Sequence, residues 1–152
     1  MRKIPLKSIF TLAIILLVGL VGCSLGTNDY SNSSIEIPYI TSTDYDFLIN
    51  HYERFSEIYT GLLKSPGTGE DVKTAYFACL DVLKDINNYD VSKNAEQIKD
   101  LLYEGISDQC NGFACQSNEN ICGSQKEATK LLFSGNKILG QFGEIINTVE
   151  IK

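Results

Sequence analysis

From Tyr45 to Val149 the apolar residues of this chain return at steps of three and four, with breaks at three places, so the chain is built to bury its core between helices. Tyr45, Leu48, Tyr52, Phe55, Tyr59 and Leu62 form a first seam that stops at Ser65-Pro66-Gly67. Val72, Tyr76, Cys79, Leu83 and Ile86 form a second, closed by Asn87-Asn88, and Ala95, Ile98, Leu102 and Ile106 a third that fades at Cys110-Asn111-Gly112. The fourth carries Ala128, Leu131, Gly135, Ile138, Phe142, Ile145 and Val149. Start signals precede three of them: Thr43 with Asp46, Thr68 with Asp71, and the capping box Ser124 to Glu127. Short links between amphipathic helices imply antiparallel neighbours. The expected fold is therefore all-α, a four-helix up-down bundle over residues 43–152, and about 110 residues suffice for one core.

Two expectations attach to the last helix. Read as continuous, it is about 40 Å long at 1.5 Å per residue, against under about 30 Å for its neighbours, so part of it overhangs. Gly135, Gly140 and Gly143 each cost about 1 kcal/mol relative to Ala inside a helix. Either a neighbour packs closely against them or the helix bends there, and close packing is favoured.

The chain has five cysteines. Cys79, Cys110, Cys115 and Cys122 form an even set, suited to two bridges in an exported chain, and residues 110–122 read as a loop compacted by bridging. Three pairings are open. Placing Cys110 and Cys122 at helix ends, with Cys79 about 10 Å below them, favours Cys79–Cys115 with Cys110–Cys122, because bridged Cα atoms lie within about 7 Å. The spacing lacks the paired short intervals of structural zinc sites and the two-residue interval of redox motifs, so no metal and no cofactor is expected.

Ahead of the bundle, Arg2, Lys3 and Lys7 precede an apolar run from Ile9 to Leu20, then Gly22 and Cys23. This is the layout of an export signal, and the run is short for a spanning helix, which needs about 20 apolar residues. Leu20-Val21-Gly22-Cys23 resembles the lipobox of prokaryotic lipoproteins. The resemblance implies removal of residues 1–22 and diacylglycerol on the Cys23 thiol, with further acylation of the palmitate type. It places the protein on the exported side of the cytoplasmic membrane, held by lipid. Ser24 offers no retention acid, so in a host with two membranes the outer one is expected. Residues 23–42 are rich in Ser, Asn, Gly and Thr and read as a lipidated flexible tether. Ile35, Ile37, Tyr39 and Ile40 offer the alternative of an extended arm packed on the domain.

Losing residues 1–22 removes three of 13 basic residues and none of 19 acids, which leaves ten against 19, a formal −9. Nucleic acid would be repelled by such a domain, and basic partners remain open. The one histidine, His51, has no partner Ser or Cys at a recognisable spacing, and the carboxylates spread along every helix as on solvated faces. No catalytic residue is expected.

Tyr45, Tyr52 and Tyr59 fall at intervals of seven. They suit a core seam with hydroxyls at the rim, and also a groove gripping a partner. Together with Phe142 and Ile146, within the stretch 141–152, they are the candidate partner-binding residues. The function expected is that of a non-enzymatic cell-envelope lipoprotein whose helical domain binds another envelope protein. In layout alone it is similar to the lipoproteins that act as pilotins in secretion or in conjugative exclusion and toxin immunity. The alternative is a small-ligand carrier with a pocket between the helices.

Overall fold

A computed structural model describes residues 39–117 and 124–152. Its four helices are α1 (Ser42–Lys64), α2 (Gly69–Asn87), α3 (Glu96–Ser117) and α4 (Gln125–Thr148), packed in sequence order as an all-α up-down bundle. The expected seams of the first three helices face inward. Leu48, Tyr52 and Phe55 of α1, Val72, Cys79 and Ile86 of α2, and Ile98, Leu102 and Ile106 of α3 are all buried in one core.

The caps are local and mostly fall where the sequence puts them. At α2 the Thr68 hydroxyl accepts from the Asp71 N–H while the Asp71 carboxylate accepts from the Thr68 N–H, which satisfies two free donors at once. Ser124 accepts from the Glu127 N–H at the start of α4. The α1 cap is Thr41 with Asp44 rather than Thr43 with Asp46, two residues early. The cause is tertiary. Ile40 forms a parallel bridge with Ile151, donating its N–H to the Glu150 carbonyl at 2.9 Å and accepting from the Lys152 N–H at 3.0 Å. That pairing holds the chain extended up to Thr41, so the helix begins there. Ile40 is wholly buried, and Lys152 Nζ sits 4.2 Å from the centre of the Tyr39 ring. The packed arm thus describes Tyr39 and Ile40. Ile35, Ile37, the rest of the tether and the signal segment lie outside the described residues.

The third helix departs most from expectation. Instead of fading at Cys110 it runs on through Asn111 and Gly112 to Ser117. Residues 110–117 of the expected cysteine loop are therefore helix, with Gly112, Phe113, Ala114 and Cys115 buried. This also removes the overhang of α4, since its 24 residues, about 36 Å, lie beside the 22 residues of α3.

Helices α3 and α4 approach most closely, and glycine permits it. A Cβ on Gly135 would lie 2.7 Å from the Gly105 carbonyl oxygen, and one on Gly112 or Gly105 would strike Leu132 or Leu139. Close packing at Gly135 holds as expected, and the helix neither bends nor stops there. Gly140 and Gly143 face open space. The inward line of α4 is Ala128, Gly135, Leu139, Phe142 and Ile146, so Leu139 and Ile146 take the places expected for Ile138 and Ile145.

Candidate functional site

Cys79 of α2 is bonded to Cys110 of α3, with Cα atoms 5.8 Å apart, and both residues are buried. The expected Cys79–Cys115 and Cys110–Cys122 pairs are thereby overturned. The reason is the extra length of α3: Cys110 lies within the helix, level with Cys79, rather than above it at a helix end. Cys115 is also disulfide-bonded and is buried. Cys122 and Cys23 lie outside the described residues.

The candidate partner-binding residues divide by burial. Tyr52, Phe142 and Ile146 are core, the first two with ring centres 5.3 Å apart, and in this fold they present no surface. Burial pushes the Tyr52 phenol up to about 12. Tyr45 and Tyr59 are half-buried. The phenol of Tyr45 is raised, first by burial and then by the charges of Asp46 and Glu53. These tyrosines form a core stripe with two members at its rim, and not an exposed ladder.

His51 is buried on α1 and its Nδ1 donates to the Phe47 carbonyl at 2.8 Å, with the Phe47 ring between it and Tyr89. One polar cluster is tightly built. The Asp44 carboxylate, nearly buried, accepts from the Thr41 hydroxyl at 2.7 Å and from the Ser92 hydroxyl and N–H at 2.7 and 3.2 Å. Burial alone would raise this carboxyl, but the Ser92 and Thr41 donors together outweigh it and hold the group below the usual value. The cluster ties the α2–α3 link to the start of α1, a positioning task within the chain.

Two surface features escaped the periodicity. Leu63, Phe77 and Phe133 are more than half exposed, at 66%, 54% and 57%, and Leu80 and Tyr103 are exposed beside the polar faces of α2 and α3. They are the apolar residues that stand off the seams. The second feature is an open groove of about 320 Å³ between the last turns of α1 and the first half of α2. Its lining includes the apolar Ile58, Leu62, Ala75 and Ala78, and its charged lining residues are Glu57 and Asp71. The Thr68 hydroxyl and N–H, donating to Asp71, hold that carboxyl below the usual range, so it stays ionised near neutrality. Small side chains make this groove, and a hydrophobic period does not mark them.

Among the described residues no group of three or more His, Cys, Asp or Glu is placed to hold a metal ion. No described helix is long and apolar enough to cross a membrane. Comparison of the chain with known protein families, with characterised proteins and with solved structures finds no match.

Proposed function

We propose that this chain is a cell-envelope lipoprotein, anchored through diacylglycerol on Cys23, whose helical domain binds another envelope protein and catalyses no reaction. The observation that carries this reading is the order of residues 1–23: positive residues, an apolar run, then Leu-Val-Gly-Cys. The bonded Cys79 and Cys110 support it, since such bridges persist in oxidising compartments outside the cytoplasm. Two or three acyl chains, at about 0.8 kcal/mol per buried methylene, anchor a domain that one chain would hold only transiently. The exposed Phe77, Leu80 and Phe133 are apolar contacts of the kind a protein partner would cover.

The test has two parts. A palmitate analogue fed to the host is expected to label the protein, and Cys23→Ala is expected to abolish the label and release the protein from membranes. Persistence of label or membrane attachment in that variant rejects the anchor. Crosslinking in intact cells is then expected to give one stoichiometric envelope partner.

The groove between α1 and α2 favours a second reading, a carrier of a small apolar ligand, since about 320 Å³ lies at the lower edge of ligand-pocket volumes. Native mass spectrometry of protein taken from its host separates the two, because a carrier retains a bound small molecule.

A further inference from the structure

We infer that the groove between α1 and α2 docks a cationic amphipathic helix of the partner protein. This rests on the protein-binding reading above and adds the partner's chemistry and the face that receives it.

Three observations converge on the groove. Its lining is mostly apolar, and it lies open to solvent, which suits the ridge of a helix with anchors at i, i+3 and i+4 better than an enclosed molecule. Gly61 lines it, and the space where a Cβ would stand has no atom within 4 Å. Glycine is a poorer helix former than alanine, and nothing in the described chain uses the room that Gly61 leaves. A closely approaching helix would use it. The third observation is charge. Glu57 on the α1 wall and Asp71 on the α2 wall are the charged lining residues, with no cation among them, so each wall offers a carboxylate to a Lys or Arg flanking an apolar anchor. The chain beyond Cys23 carries a formal −9, which adds attraction for a basic partner at longer range.

Position agrees with this use. The groove residues Glu57 to Ser65 lie about 20 to 35 Å along α1 from Ser42, the end at which the tether joins. The groove therefore lies at the pole of the bundle opposite Ser42.

The experiment uses the full chain purified from membranes in detergent with its disulfides intact, and two fluorescent peptides of about 18 residues, long enough to hold a helix. One has a leucine face flanked by lysines, and its twin has glutamates in place of the lysines. Anisotropy is read against empty micelles. The lysine peptide is expected to bind and the glutamate peptide is not. Gly61→Leu fills the groove from open space, and is expected to weaken binding at least about tenfold while the urea midpoint stays level or rises. Glu57→Lys is expected to weaken it about three- to tenfold. Gly140→Leu, in open space on α4, is expected to leave binding unchanged. Equal binding of the two peptides, no binding, or indifference to Gly61→Leu overturns the proposal. If a photocrosslinker in intact cells meanwhile captures a stoichiometric envelope partner through Phe77 or Phe133 and not through position 61, the groove falls and the protein-binding reading stands.

Discussion

Asp44 joins parts of the chain 48 residues apart, because its carboxylate takes both the hydroxyl and the N–H of Ser92 while Thr41 caps the same turn. Hydrogen bonds to a buried charge contribute about 1.5 to 3 kcal/mol, so Asp44→Ala is expected to lower unfolding free energy by about 2 to 3 kcal/mol at neutral pH. The pH dependence follows from sign. The folded-state value lies below the ordinary one, so the stabilisation is complete above the unfolded carboxyl's value, about 4, and is lost as pH falls through the folded value. Urea titrations of the parent and Asp44→Ala are therefore expected to differ most near neutrality and to converge below about pH 4. A constant gap at all pH values would assign the effect to packing. The residue was not legible in sequence as a tie: it adjoins the expected cap Thr43, but its partner Ser92 lies in a link whose path only tertiary structure fixes. Gly135 makes the opposite case, since three glycines in one amphipathic helix signalled a close approach without saying which of them made it. Gly135→Ala would press a methyl against the Gly105 carbonyl and the Gln109 amide, an overpacking cost of about 1 to 3 kcal/mol, whereas Gly140→Ala meets nothing and is expected to stabilise by up to about 1 kcal/mol. The two variants should move the urea midpoint in opposite directions.

Among the elements, α3 shows where local signals fail. Asn111-Gly112 reads as a helix stop because glycine is a poor helix former, yet Gly112 lies against Leu132 of α4, and the helix gains by passing through. The start of α2 and the inward faces of the first three helices were legible because capping and periodicity are matters of a few neighbouring residues. The end of α3 depended on α4. That one misplaced end moved Cys110 by a helix level and with it the expected disulfide. A peptide map of the non-reduced protein is now expected to join Cys79 to Cys110, leaving Cys115 to pair with Cys122 among the cysteines beyond Cys23. The Cys79–Cys110 bridge spans 31 positions, and closing a loop of that size restricts the unfolded chain by about 3 to 4 kcal/mol. Replacing both residues by Ala should lower stability by about that amount. A loss under about 1 kcal/mol would mean that the α2–α3 packing holds without the link.

Across the whole molecule the two ends of the described fold meet at one pole. Ile40 and Ile151 pair in parallel, Ser42 donates to the Lys152 carbonyl, and Asp44 draws in the α2–α3 link beside them. The chain thus enters and leaves the described bundle at one closed pole, while the groove lies at the opposite one. Of the two expectations for this stretch, a free tether and a packed arm, Ile40 follows the second, although so short an extended segment carries almost no periodicity. The closure depends on Ile40 much more than on its partner: Ile40 is fully buried in the core, whereas Ile151 is 46% exposed. Cutting a buried isoleucine to alanine costs about 2 to 5 kcal/mol, while a surface change usually stays within about 0.5 kcal/mol. Ile40→Ala is thus expected to lower stability by at least about 2 kcal/mol and to speed exchange of the Ile40-site, Ser42 and Lys152 amides, whose acceptors all lie in the paired ends. Ile151→Ala keeps the backbone bonds and should leave both readouts close to the parent. If instead the two variants behave alike, the pole is held by the backbone ladder, and burial of Ile40 contributes little to it.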